Sequence, residues 1–180
     1  PVYDLDYDFA DDKLIAGTFG RGAWELPMLT DNTPPTLTCS LARTLLWPAR
    51  NGMMPVGFSA SATDDTDPAP TVTVEVWSNE DNGTAPYAPD AGGTTLTNLT
   101  LRAQRAYPAP APGRVYLVIV TATDRSGNSA TDCKTVRVPL LPVGYYIVQS
   151  TNLAMTAQTT CMTTGGAPSG WFNLLTYSVP

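Results

Sequence analysis

The chain has no histidine. That removes the usual imidazole general base, the His-based triads and the His-bearing zinc sites. Charge is scarce as well: 14% of residues are charged, with ten basic against sixteen acidic side chains and a net charge of −6. The basic residues stand singly, so no Lys/Arg stripe is present to neutralise a row of phosphates, and nucleic acid is not an expected partner. Long apolar runs are missing too. Residues 115–120 form the longest kind of run present, far too short to span a bilayer. Nor does any window show a sustained 3.6-residue apolar period, while 17 prolines and 14 glycines interrupt the chain every few residues. Long helices are not expected.

What the chain does have is two-residue alternation, repeated many times, and the class it predicts is all-β. Its 180 residues suffice for one full domain with appendages. The chain opens at Pro1 without an initiator Met or a signal-peptide pattern, and we expect a piece of a larger protein.

Residues 1–27 read as strands. Val2 to Tyr7 alternate, Leu14 and Ala16 alternate with Lys13 and Ile15, Gly17, Gly20 and Gly22 follow, and residues 23–26 make a short second run ended by Pro27. A strand, a Gly-rich turn and a strand are marginal alone and need a sheet to join. Residues 28–35, with Thr30, Asp31, Asn32, Thr33, Pro34 and Pro35, read as a linker.

Residues 36–139 carry short strands at regular spacing, the pattern of a β-sandwich. Val72, Val74 and Val76 alternate with Thr73, Glu75 and Trp77, and Leu99, Leu101 and Ala103 with Thr100, Arg102 and Gln104. Residues 115–123 are apolar on both faces, as a central strand should be. Residues 124–128 predict a hairpin turn with Gly127 free to take positive φ. Residues 79–93 read as a long irregular loop. In residues 140–180, strands at 145–148 and 171–177 would flank a Thr-rich turn at Gly165 and Gly166, the start of a further β-module.

Two resemblances arise at these residues. Ala16-Gly-Thr-Phe-Gly-Arg-Gly-Ala-Trp-Glu-Leu26, after Tyr3-Asp-Leu-Asp-Tyr7, resembles the closing blade of secreted bacterial β-propellers of the sialidase-like (BNR) type. Pro34-Pro-Thr-Leu-Thr-Cys39, Leu46-Trp-Pro48, Ala62-Thr-Asp-Asp-Thr-Asp-Pro-Ala-Pro70 and Val120-Thr-Ala-Thr-Asp-Arg-Ser-Gly-Asn-Ser-Ala130 resemble a bacterial immunoglobulin-like module akin to hyalin repeats. The first likeness covers about the first 27 residues and carries no catalytic identity. The second spans roughly residues 34–139 and implies extracellular adhesion or spacing within a multidomain protein. Where many relatives place a cysteine in the Asp-rich turn this chain has Thr66, and where they read Trp-Pro-Pro-Asn-His it has Trp47-Pro-Ala-Arg-Asn51.

Three cysteines allow one disulfide or none. Cys39 sits in a predicted first strand and Cys133 in a predicted last one, which are often neighbours in a sandwich, so Cys39–Cys133 is the preferred pairing. Parity argues against it: Cys39 shares the face of Leu37 and Leu41, while Cys133 lies opposite Val136 and Val138, and a bulge would be needed.

Among acidic groups, Asp4, Asp6 and Asp8 alternate on one strand face, with Asp11 and Asp12 after them. A glycosidase pair needs two carboxyls across a substrate within a concave scaffold; a solvated strand face is the plainer account. Asp64, Asp65 and Asp67 form the densest cluster. Hard Ca²⁺ takes six to eight oxygens, which such loops supply, and Asp124 and Asn128 would join them if strand order brought the two turns together. Turn chemistry through the side-chain oxygens is the competing account and explains the cluster without an ion. Trp47, Trp77, Tyr87 and Tyr107 are candidates for a sugar-stacking platform; Trp77, sharing the outward parity of Glu75, is the best of them. Asn82 and Asn98 open N-x-Thr triplets. Gly17, Gly20 and Gly22 do not open a helix, which rules out a nucleotide-binding turn.

The expectation is a non-catalytic structural, adhesion or spacer module of a larger secreted or cell-surface protein. Its partners would be neighbouring domains, a polysaccharide or a cell-surface protein. The alternatives are the C-terminal accessory part of a secreted glycoside hydrolase, or a carbohydrate-binding module using Trp77. No cofactor is expected apart from the calcium weighed above.

Overall fold

The computed structural model describes residues 2–8, 13–27, 31–81, 89–105, 113–139, 141 and 144–180. They form two compact units, 1–33 and 34–180. The described residues are mostly β, with several antiparallel sheets and one helix.

The first unit is a three-stranded antiparallel sheet, β1 (Val2–Asp8), β2 (Lys13–Thr18) and β3 (Gly22–Pro27), in the order β1-β2-β3. Its register sets the rows Tyr7–Leu14–Leu26 and Leu5–Ala16–Trp24 on one face. The other face carries Asp6–Ile15–Glu25 and Asp8 beside Lys13. Residue alternation has sorted the strands into an apolar and an acidic side. The apolar side is bare: Leu5, Trp24 and Leu26 are 61%, 61% and 58% exposed.

The second unit packs two layers. One is a four-stranded antiparallel sheet in the order β11-β10-β7-β12, from β7 (Thr71–Ser78), β10 (Gly113–Thr123), β11 (Ser129–Pro139) and β12 (Phe172–Val179). The other combines β4 (Thr36–Leu41) paired with β6 (Phe58–Thr63), and β5 (Met53–Pro55), β9 (Thr100–Arg102) and β8 (Ala91–Gly92) in the order β5-β9-β8. Backbone hydrogen bonds Val56 N–H to Leu99 O (3.3 Å) and Ala60 N–H to Leu96 O (3.1 Å) join these pieces.

The core lies between the layers. Val72, Val74 and Val76 of β7, Tyr116, Val118, Val120 and Ala122 of β10, and Val136 and Val138 of β11 face Phe58, Ala60, Leu99 and Leu101. Each fully buried aliphatic side chain contributes about 1.5–3 kcal/mol. The expected central strand is β10, and its other face, Leu117 and Ile119, is buried as well. The hairpin after it forms as the sequence predicts, with Gly127 at φ 91. Residues 45–47, an apolar run expected to be a short strand, make only a parallel bridge from Leu45 to Arg137; Leu46 is the core residue and Trp47 is 36% exposed.

The sequence expectation fails most clearly at the C-terminus. Residues 144–164 are a 21-residue helix, α1 (Gly144–Thr164), where we expect a strand and a turn. It covers the outer face of β10 and β11. The residues it buries are Ser150, Ala154, Ala157 and Cys161, at helical spacing but small or weakly apolar. Val148, Met155 and Met162 are exposed, and Ile147 and Leu153 are half-buried. A hydrophobic count therefore finds no amphipathic period, yet the small stripe is what lets a helix lie close on a sheet. The strand expected at 171–177 forms as β12, but it adds to the sheet of the second unit instead of opening another module.

Candidate functional site

The preferred disulfide is corrected by the structure. Cys133 bonds Cys161 (S–S 2.00 Å), and Cys39 is free. The parity objection is the physical reason: Cys39 points into the core beside Leu37 and Leu41, whereas Cys133 faces outward with Leu117 and Ile119. The cysteine that can meet Cys133 must lie outside the two layers, on α1. Burial, then the Asp132 carboxylate, pushes the Cys39 thiol up to about 11, with Lys134 opposing, which favours the protonated thiol at neutral pH. Gln158 Nε2 donates to Cys133 O (2.9 Å) and Arg137 donates to Thr151 Oγ1, so the helix is held by a covalent bond and two polar ones.

Trp77 does lie on the outward face with Glu75, as parity predicts. It is not an open platform. Its ring is half-buried in the cluster of Leu117, Ile119, Ala167 and Trp171, and its Nε1 donates to Glu75 Oε2 at 3.0 Å. The residues after α1 close over it, which the strand pattern gives no means of seeing. Tyr87, Tyr107, Asn82, Asp11 and Asp12 lie outside the described residues.

The Asp-rich turn is built as turn chemistry. Asp64 Oδ1 accepts from the N–H groups of Thr66 (2.9 Å) and Asp67 (2.8 Å), and Asp65 Oδ1 accepts from Thr66 Oγ1 at 3.4 Å. Asp67 is buried. Its Oδ1 accepts from Ala69 N–H (3.1 Å) and lies 3.3 Å from Arg125 Nε, and its Oδ2 accepts from Arg125 N–H (3.0 Å). The β6–β7 turn and the β10–β11 hairpin therefore do share one end of the unit, joined through Asp67. Next to it, Asp124 accepts from Asn128 N–H (2.9 Å) and Asn128 Nδ2 (2.8 Å). Burial raises its pKa, but the hydrogen bonds from Asn128 and from the N–H groups of Gly127 and Ser126 outweigh it and hold the carboxyl below its usual value.

The densest chemistry is one the sequence does not announce. Arg114 begins the apolar strand β10 and is buried. Its guanidinium lies 3.2 Å from Glu80 Oε2 and 2.6 Å from Asp90 Oδ2, and donates to Tyr116 Oη (3.0 Å) and Asp81 O (2.7 Å). Asp90 also lies 3.2 Å from Arg102 Nε, Arg102 donates to Pro89 O and Asn51 O, and Tyr116 Oη donates to Arg102 O at 2.8 Å. Burial works against the charge on Arg114, and Tyr116 and Asp90 outweigh it, keeping the guanidinium protonated; burial drives the Tyr116 phenol far up. Two cations, two anions and a phenol thus close one end of the core. The signal in the sequence was a charged residue heading an otherwise apolar strand, too slight to separate from a strand end.

In the first unit, Tyr3 and Phe19 approach with ring centroids 5.7 Å apart, bordering an open cleft of about 410 Å³ with Gly17, Thr18, Gly22 and Ala23. Asp4, Asp6 and Asp8 occupy the side of the sheet away from the apolar rows, as a solvated strand face does. No helix is long and apolar enough to cross a membrane among the described residues. Comparison of the chain with known protein families, curated proteins and solved structures gives no match.

Proposed function

We propose that this chain is a structural module of a secreted or cell-surface protein, one that holds or spaces a neighbouring domain. The observation that carries the reading is the contrast between an internally braced second unit and a first unit whose apolar face needs cover. The two layers of residues 34–139 support an immunoglobulin-like sandwich akin to hyalin repeats, extended by α1 and β12. The bare rows of Leu5, Ala16 and Trp24 and of Tyr7, Leu14 and Leu26 support a last propeller blade that attaches to a further β-sheet. The disulfide supports an oxidising compartment.

In this reading the buried charges serve stiffness, and the partners are neighbouring domains and, through exposed loops, a polysaccharide or surface protein. A parent glycoside hydrolase is the second reading, favoured only by the resemblance of residues 1–27. The carbohydrate-binding reading through Trp77 loses support from the Glu75 bond and the covering Trp171. Purified chain assayed on a panel of polysaccharides should show no turnover, and glycan retention, if any, should be equal for wild type and Trp77→Ala. Turnover by the chain itself would sink the proposal. A thermal midpoint that falls on adding chelator would support calcium at Asp64, Asp65 and Asp67, because a bound ion must stabilise the folded state.

A further inference from the structure

We infer that the outer edge of β12 pairs with the same strand of a second copy of this chain, joining two four-stranded sheets across a twofold axis near Tyr177. β12 ends the order β11-β10-β7-β12, and no described strand pairs with its far side. An edge of this kind presents unpaired N–H and C=O groups, and edges are usually guarded by lysine, proline or other charge. Here the guard is missing. Residues 138–180 contain no charged side chain, and neither do residues 91–101, which border the same side of the molecule. Tyr177 Oη donates to Thr95 O (2.9 Å), tying the two uncharged stretches into one surface. In a chain of net charge −6, an edge strand and bordering loop without charged side chains of their own are where two copies meet with least repulsion.

The strand is also self-complementary. Leu175, Tyr177 and Val179 stand opposite Val76, Val74 and Val72 and so face the core, while Thr176 and Ser178 stand opposite Glu75 and Thr73 and face outward. Antiparallel pairing about Tyr177 places Leu175 against Val179 and Thr176 against Ser178 of the second copy. Apolar meets apolar on the inner side and hydroxyl meets hydroxyl on the outer side, so the pairing keeps both faces in phase. The irregularity between Asn173 and Leu175 ends the usable stretch at its N-terminal side. A closed twofold pair also consumes both edges, which limits the assembly to a dimer.

The test is the oligomeric state of the full chain by light scattering over a concentration series, for wild type and Thr176→Lys. Position 176 is exposed and directly opposite Glu75, so the new ammonium gains a cross-strand partner in the monomer while setting charge on the edge. The expected result is a wild-type dimer whose dissociation constant rises about tenfold or more in Thr176→Lys, with equal thermal midpoints at dilutions where both chains are monomeric. Hydrogen exchange supplies a measure that does not depend on the variant: protection of the β12 amides in wild type should rise with concentration. A chain that stays monomeric at every concentration, leaving the edge to a strand from another protein, overturns the inference. So does a dimer that survives Thr176→Lys, or one abolished instead by Met155→Glu with Met162→Glu on the exposed face of α1.

Discussion

The sheet β1-β2-β3 and the sheet β11-β10-β7-β12 are both antiparallel and both line up apolar rows on a face, and only one of them is buried. In β1 the rows that carry Leu5 and Tyr7 are as well sorted as those that carry Val118 and Val120 in β10. The difference lies in what stands against each face. β10 has the second layer on one side and α1 on the other, so eight consecutive residues, 113–120, are buried. No described residue of the first unit is buried. Alternation decides which way side chains point; the stabilisation comes from the surface they are pressed against, and that surface is encoded elsewhere in the chain.

Substitutions that strip the braces of the second unit should sharpen this contrast most. Arg114→Leu takes the Arg114 guanidinium from buried Glu80 and Asp90, leaving Arg102 against Asp90, and should cost about 3–5 kcal/mol in urea unfolding. A loss below about 1 kcal/mol would show that the charge cluster does not hold that end of the core. Replacing both Cys133 and Cys161 by serine should cost about 2–4 kcal/mol, through a linkage spanning 28 residues. Wild type unfolded in a thiol reductant should match it. Gly57→Ala comes next, at about 1–3 kcal/mol: Gly57 holds φ 61, and a Cβ there would sit 2.6 Å from the Cβ of Ala42.

Asp124 adds a smaller, pH-dependent effect. Its folded pKa lies below the ordinary 3.8, so its stabilisation is present in full above that value and is lost as pH falls through the folded pKa. The stability gap between wild type and Asp124→Asn, measured by thermal melting, should be constant near neutral pH and shrink below pH 3.8. A gap that persists undiminished at lower pH would mean the hydrogen bonds do not favour the ionised carboxyl. The smallest effect belongs to the first unit. Trp24→Ser should change the unfolding of the chain by no more than about 0.5 kcal/mol, because the ring has little to lose. A large effect would break the comparison, since it would mean that face is covered in solution.

How far the sequence could be read follows the same division. Strand parity was legible: Val72, Val74 and Val76, and Leu99 and Leu101 lie where alternation puts them, residues 115–120 are buried on both faces as their unbroken apolar run predicts, and Gly127 turns the hairpin it was expected to turn. Parity even held the objection that the Cys39–Cys133 pairing could not overcome. The helix was not legible, because Ser150, Ala154, Ala157 and Cys161 carry the contact while Met155 and Met162 face away, inverting the usual pattern. With α1 unseen, the partner of Cys133 and the cover over Trp77 were unseen too. The turn hydrogen bonds of Asp64 and Asp65 join near neighbours in the chain, whereas the bond from Asp67 to Arg125 joins residues far apart and has no local signature.

The Cys133–Cys161 link encloses the stretch that runs from the outer half of β11 into the last turn of α1. A protease that cuts anywhere between those two positions releases nothing: the pieces stay tethered until a reductant separates them. Digests run with and without reductant should therefore differ in this stretch alone, and a chain nicked there would keep β12 covalently moored to the sheet it completes.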